Sequence, residues 1–310
     1  MDSRPLLSVV IPVLDEADGL PELRERLDAQ LALIEGETEV VYVDDGSSDG
    51  SAQLVELWIG EGDNAVLVSL SRNFGMEIAM SAGLDEASGE HVVLMHADLQ
   101  DPPELIPQML GAAQEGADVV YARRIGREES RVKRALATGF YRLMERLARV
   151  PYQGQAGDFR LMSRRVVDDI RRMPERRRFL RGMVAWVGYE QVPIEYRRAG
   201  RASGRGASYR DLFRLALEAL ASFSDVPLTL VGYAGIATSV LSALAAFVLL
   251  VLAAVGVVTA SGYIWVLIAV LFLSGVQLIS IGVLGRYLAR VHEEALQRPL
   301  YLVDRIVRPR

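Results

Sequence analysis

The feature that most constrains this chain is a run of 60 residues, 226 to 285, that contains no Asp, Glu, Lys, Arg or His. A helix needs roughly 20 apolar residues to cross the hydrocarbon core of a bilayer. The run is too long for one crossing and suits two with a turn between them. That turn reads at Thr259-Ala260-Ser261-Gly262, and Tyr263 and Trp265 beyond it carry amphipathic rings suited to a membrane interface. The expected spans lie near 229–257 and 264–284. Arg210 and Arg214 precede the run, and Arg286, Arg290, Arg298, Arg305, Arg308 and Arg310 follow it. Basic flanks stay on the cytoplasmic side, so both termini are expected there and only the turn faces outward. This predicts a multi-pass protein of the cell (inner) membrane with two spans. Between Tyr209 and Ser224, charged and apolar residues alternate at helical spacing. Such a helix lies along the membrane surface or packs on the soluble part of the chain.

Small residues in the run (Gly232, Ala234, Gly235, Gly275, Gly282, Gly285) permit close helix packing, either inside one hairpin or between copies in a homo-oligomer. With no cysteine anywhere, a disulfide framework and a Cys-ligated metal are both excluded. The opening MDSRPLLSVVIPVLDE has only a short apolar run and reads as a buried strand, not as a signal core. The net charge of -6 hides an asymmetry: residues 1–122 hold 4 basic and 25 acidic side chains, whereas 123–214 hold 24 basic and 10 acidic. An acidic half joined to an Arg-rich half points to two partners of different chemistry. A basic face suits anionic lipid headgroups or a phosphorylated substrate. It lacks the interleaved aromatics of a nucleic-acid surface.

Along residues 1–122, apolar β-rich runs at 6–14, 39–45, 65–71, 91–96 and 117–122 alternate with helical patterns such as 20–34 and 76–87. This rhythm predicts an α/β domain with a mostly parallel sheet and helices on both faces. Ligands of such sheets bind beyond the carboxyl ends of the strands. The residues found there are acidic: Asp15-Glu16, then Asp44-Asp45 with GSSDG, then His96-Ala97-Asp98-Leu99-Gln100-Asp101. Carboxylates converging on one edge repel each other and any phosphate, and a hard divalent cation, Mg²⁺ or Mn²⁺, relieves both conflicts. No G-x-G-x-x-G follows the first strand and no G-x-x-x-x-G-K-[ST] occurs, which disfavours a dinucleotide dehydrogenase or a P-loop enzyme.

Taken in order, VVIPVLDEADGL, VDDGSSDGS, LSRNFG, ADLQDPPELI, GDFRLMSRR and RFLRGMVAW resemble the family-2 glycosyltransferases of the GT-A fold. The likeness is to the polyprenyl-phosphate hexosyltransferase branch, which includes dolichyl-phosphate mannose synthase and undecaprenyl-phosphate glucosyltransferases. It implies a cytoplasmic catalytic domain over 1–208, with a nucleotide and metal half at 1–122 and an acceptor half at 123–208. A juxtamembrane helix at 209–224, two transmembrane helices within 225–285 and a basic tail at 286–310 would follow. The resemblance further implies that Pro12, Leu14 and Glu16 line the nucleobase and ribose pocket. Val43 and Asp45 would close it beside Asp44, with Asp45 accepting hydrogen bonds from the base. Asp98 and Gln100 would hold the metal on the donor pyrophosphate, Ala97 would leave room for the ribose, and Arg72 and Asn73 would support the donor side. One departure stands out: His96 occupies the place of the family's first Asp in Asp-Ala-Asp-Leu-Gln. A neutral imidazole can bind a metal or the ribose, but it brings no negative charge.

Guanidinium forks match phosphate oxygens, so the Arg-rich block suits the acceptor. By resemblance, Arg123 and Arg131, with Lys133 beside it, hold the lipid phosphate, and a loop at Arg201–Gly204 closes over the nucleotide. The usual Lys of that loop is absent, and Arg205 is its nearest substitute. Asp158 sits where inverting members place a base. A phosphate oxygen already carries charge, so Asp158 is expected to orient the acceptor or an adjacent Arg, with proton removal second. The implied reaction is inverting transfer of a hexose from a nucleotide-sugar, UDP-glucose first and GDP-mannose or UDP-GlcNAc behind it, to polyprenyl phosphate, with Asp98 and Asp158 catalytic. Two rivals remain. A processive polysaccharide synthase would need a Gln-x-x-Arg-Trp motif, and no Arg precedes Trp58, Trp186 or Trp265. A membrane-tethered, non-catalytic nucleotide-sugar binder would differ in releasing no nucleotide diphosphate.

Overall fold

The computed structural model describes residues 4–125, 156–176, 178–197 and 262–309, with isolated helical positions between 233 and 251. An eight-stranded sheet organises the first of two compact units, bounded as Met1–Tyr141, Val150–Arg205 and Arg298–Arg310. Four strands form its parallel heart: β1 (Leu7–Val13), β2 (Thr38–Asp44), β3 (Ala65–Leu70) and β4 (His91–Leu94). These segments are almost continuously apolar and buried, as strands covered on both faces must be. Each matches an apolar run read from the sequence.

Helices α1 (Leu20–Leu31), α2 (Ser51–Glu61) and α4 (Ile106–Gln114) lay Leu23, Leu27, Trp58 and Met109 against one face, on which Val9 and Ile11 also point. The other face takes Val10 and Val43 against Ala79 and Met80 of α3 (Met76–Glu86), with Val166 of α5 (Arg164–Arg172) and Leu180 of α6 (Leu180–Trp186). Alternate residues of one strand thus serve two cores. Gly83 sets how closely α3 can approach: a Cβ there would lie 2.2 Å from Val10 Cγ1.

Four further strands complete the sheet, and three of them, β6 to β8, do so in ways the apolar pattern does not announce. The order is β7-β5-β6-β4-β1-β2-β3-β8, with β5 at Val119–Ile125, β6 at Ala156–Ser163, β7 at Gln191–Arg197 and β8 at Val303–Val307. β6 is antiparallel to both β4 and β5, and β8 is antiparallel to β3; all other pairs are parallel. Because β6 runs backwards, its first residues lie at the edge where the parallel strands end.

The region after 285 differs from the expected tail. Helix α7 runs over Gly262–Ala295, well past the expected end of the second span. The chain then re-enters the sheet as β8, where Ser71 N–H donates to Leu302 O at 2.9 Å and Tyr301 Oη–H donates to Asp85 at 2.8 Å. Arg305 pairs with Glu56 at 2.9 Å and Arg308 with Glu86 at 2.5 Å. Residues 286–310 are therefore helix end and sheet edge; the arginines read as a solvated basic flank are partly spent on acidic partners. The segment 209–224 and nearly all of the first expected span lie outside the described residues. Counted over described side chains alone, no helix is long and apolar enough to cross a membrane.

Candidate active site

The carboxyl ends of β1, β2 and β4 carry the three acidic clusters onto one edge. The first two are knitted together. Asp15 takes a left-handed conformation, φ 53°, held by Ser48 N–H and Oγ–H donating to its Oδ1 at 2.7 and 3.2 Å. Glu16 N–H donates to Ser51 Oγ at 3.0 Å and Ala17 N–H to Asp49 Oδ2 at 2.9 Å. Hydrogen bonds to the charged form hold Asp49, led by that from Ser51 Oγ–H, below the usual carboxylate range. Glu16 moves the other way: burial pushes its carboxyl up, and the charges of Asp98 and Asp49 add to it. Asp98 and Asp49 are thus the like charges that act on Glu16 at this edge, after burial. Backbone strain recurs at Leu99, φ 57°, in the β4 loop.

Individual nucleotide candidates fall on both sides of this edge. Pro12 and Val43 lie on neighbouring strands in register, Leu14 is exposed beyond β1, and Ala97 is buried beyond β4. Asp44 accepts from Ser47 N–H at 3.0 Å. Asp45 is buried, and its two oxygens accept from the backbone amides of Phe74 at 2.7 Å and Gly75 at 2.9 Å. Asp45, for which the resemblance implied an acceptor role toward the base, thus also holds the loop after β3. Gly46, φ 83°, lets that loop pass: a Cβ would meet Arg72 C and Asn73 N at 2.9 Å. Arg72 stacks 4.0 Å over the Phe74 ring and donates to Asn73 O at 2.9 Å.

Asp98 is exposed and accepts from Gln100 N–H at 3.1 Å, with Gln100 partly exposed beside it. Among the described residues, no three of His, Cys, Asp and Glu form a complete metal cage by themselves. A cation at this edge would need further oxygens from a bound phosphate.

His96 is fixed from behind. Its backbone N–H and its ring Nδ1 both lie 3.0 Å from Asp101 Oδ2. Among the described residues Nε2 is buried without a hydrogen-bond partner, and it stands 3.9 Å from Asp158 Oδ2. Burial pulls the imidazole pKa down; the hydrogen bond and charge of Asp101, then the charges of Asp158 and Asp98, outweigh it and leave a net rise.

Asp158 reaches this place through the reversed strand. The pairing of Leu94 with Arg160 continues outward to set Asp158 beside His96. Arg181, from α6, grips both oxygens of Asp158 at 3.0 and 2.9 Å. Arg160 is buried and donates to Gly157 O at 2.8 Å. Beneath them Glu77 accepts from Leu180 N–H at 2.9 Å; burial raises its pKa, Asp158 adds to the rise, and Arg181 and Arg160 oppose it. The adjacent Arg expected for Asp158 is therefore Arg181. Neither Arg181 nor Glu77 was singled out from the sequence, where 23 and 81 residues separate them from Asp158 and nothing local links them.

On the acceptor side, Arg123 forms a cross-strand ion pair with Glu195 of β7, so it is not simply a waiting cation. Arg131, Lys133, Arg201 and Arg205 lie outside the described residues.

The sequence profile described as "Glycosyl transferase family 2" matches residues 8–171. An uncharacterized glycosyltransferase of Synechocystis sp. is 44% identical over 302 residues, covering 96% of this chain and 94% of that one. The bactoprenol glucosyl transferase of Shigella phage SfV is 38% identical, covering 96% and 97%. A prophage bactoprenol glucosyl transferase homolog of Escherichia coli is 38% identical, covering 97% and 99%. Among solved structures, a glucosyl-3-phosphoglycerate synthase from Mycobacterium tuberculosis superposes with a TM-score of 0.49 at 20% identity, over 70% of this chain and 78% of its own.

Proposed function

We propose that this chain, which belongs to glycosyl transferase family 2, transfers a hexose from a nucleotide-sugar to undecaprenyl (bactoprenol) phosphate, with UDP-glucose as the first donor. One observation carries the substrate class. The likeness to bactoprenol glucosyl transferases runs over nearly the full length of both chains, so it includes the Arg-rich half and the uncharged run as well as the nucleotide half. The geometry supports the chemistry: a carboxylate edge for a metal-bound diphosphate faces an Asp158–Arg181 couple suited to an incoming phosphate.

The repulsion at Glu16 is the feature of this edge that fits a divalent cation, Mg²⁺ or Mn²⁺, since a positive ion relieves it. Asp98 and Gln100 would hold the ion. When bound, it would neutralise charge on the departing nucleotide diphosphate. The chain's own residues do the rest. Asp45, through Phe74 and Gly75, fixes the loop that flanks the nucleotide side. Asp158 holds Arg181 in one orientation, and the guanidinium draws the acceptor phosphate toward the anomeric carbon. The oxygen of a phosphate monoester needs little deprotonation, so direct displacement with inversion is the expected course, with Asp158 positioning the nucleophile and Asp98 catalytic at the leaving group.

Anchoring in the cell membrane rests on the 60 uncharged residues and on the 34-residue helix α7 that carries the second part of them. The return of the chain as β8 supports an even number of crossings, with catalytic domain and flanks cytoplasmic.

The test incubates membranes holding the protein with undecaprenyl phosphate and a panel of labelled nucleotide sugars, then identifies the glycolipid. A glucolipid formed from UDP-glucose is expected; a mannolipid or an N-acetylglucosaminyl lipid would redirect the donor. Asp98→Ala should abolish the product. Donor binding without lipid-dependent release of nucleotide diphosphate would instead favour the tethered binder.

A further inference from the structure

We infer that His96 is a ligand to the divalent cation through Nε2, which makes the site a mixed nitrogen and oxygen site that prefers Mn²⁺ to Mg²⁺. The inference rests on the proposed metal-bound donor and adds a ligand and a selectivity to it.

Three observations converge on the ring. First, its Nδ1 is tied to Asp101 Oδ2 at 3.0 Å, and the same oxygen accepts from the His96 backbone N–H at 3.0 Å. A carboxylate holding one ring nitrogen, with the other left for a metal, is the usual second shell of a metal-binding histidine. Second, Nε2 is buried and has no hydrogen-bond partner among the described residues. A buried polar atom with nothing to bond is costly, and a ligand that completes it removes the cost. Third, Asp158 Oδ2 stands 3.9 Å from Nε2, too far for a hydrogen bond, and its carboxylate is already engaged by Arg181. His96 stands two residues before Asp98, in the same segment just after β4.

The selectivity follows from ligand type. Mg²⁺ takes oxygen ligands and keeps several waters. Imidazole nitrogen raises affinity for first-row transition ions, beginning with Mn²⁺. A carboxylate at position 96 would have given an all-oxygen set; the imidazole shifts the preference and brings no negative charge.

The experiment uses the full chain in detergent, loaded with UDP and Mn²⁺, and reads the bound ion by electron spin-echo envelope modulation. Histidine labelled with ¹⁵N separates the ring from the uracil nitrogens. The chain has only His91, His96 and His292, so the assignment needs one variant. The expected result is a histidine nitrogen coupling in the wild type that disappears in His96→Gln while Mn²⁺ still binds. Asp101→Asn should weaken Mn²⁺ binding by about tenfold or more. Bound Mn²⁺ without any histidine coupling in the wild type overturns the inference and leaves the metal-bound donor intact. A wild type that binds UDP but no Mn²⁺ overturns both. Unchanged coupling in His96→Gln also overturns it.

Discussion

Glu77 shows how a single half-buried acid organises a site from one helix away. Its Oε2 accepts from Leu180 N–H at the start of α6, the helix that delivers Arg181 to Asp158. Glu77→Ala leaves that amide without an acceptor and should cost about 1–3 kcal/mol of unfolding free energy. Glu77→Gln keeps an acceptor and should be close to wild type in thermal midpoint near neutral pH. The two differ also in pH response. Burial raises the Glu77 pKa, so the native state binds its proton more readily than the unfolded chain. Its contribution to stability is full below the unfolded value and is lost as pH rises through the folded one; Glu77→Gln should remove that slope in a series of thermal melts. Asp118 has the opposite sign. Burial raises its pKa, but Arg165 and Ser163, bonded to its oxygens, outweigh burial and hold it below the usual range. Its contribution is present above the unfolded value and lost as pH falls through the folded one. Asp118→Asn should therefore lower the midpoint at neutral pH and flatten the acid limb.

Among the elements, what was legible in the sequence was what burial on two faces dictates. β1 to β5 read as apolar runs because both their sides are covered, and the acidic residues just beyond three of them marked the candidate edge, which the structure brings together. β6 was not legible, because AGDFRLMS carries Asp158 and Arg160 within it and the Arg181 that grips Asp158 is distant in sequence. The pairing of Arg123 with Glu195 and of Asp158 with Arg181 needed the strand order, which no local pattern contains. β8 was missed because VDRIV is short and follows an apolar helix among arginines, and so looks like a flank. Two predictions belong at this scale. Removing residues 298–310 should lower the thermal midpoint and weaken UDP binding measured by calorimetry, because Ser71 loses its bond to Leu302 one residue before Arg72. Gly83→Ala should cost roughly 1–3 kcal/mol, the usual penalty of overpacking, since its Cβ would overlap Val10. If either variant melts like wild type, the packing described for that edge is wrong.

For the whole molecule, the absence of cysteine makes topology directly testable, because a single introduced thiol is the only one present. Ser261→Cys, in the expected turn, should react with a membrane-impermeant maleimide in intact cells. Asp304→Cys, exposed on β8, should react only after the cells are opened. Labelling of Asp304→Cys in intact cells would contradict the cytoplasmic placement of the catalytic domain, whose strand β3 pairs with β8. The strand at Val303–Val307 also bears on how such a protein is made. In chain order β8 follows the long apolar helix, so a ribosome must have delivered that helix before the outer edge of β3 can be capped. Until then β3 offers an open ladder of amides and carbonyls to any neighbouring chain. Completion of the catalytic sheet is thereby made to wait upon synthesis of the segment that would seat it in the bilayer.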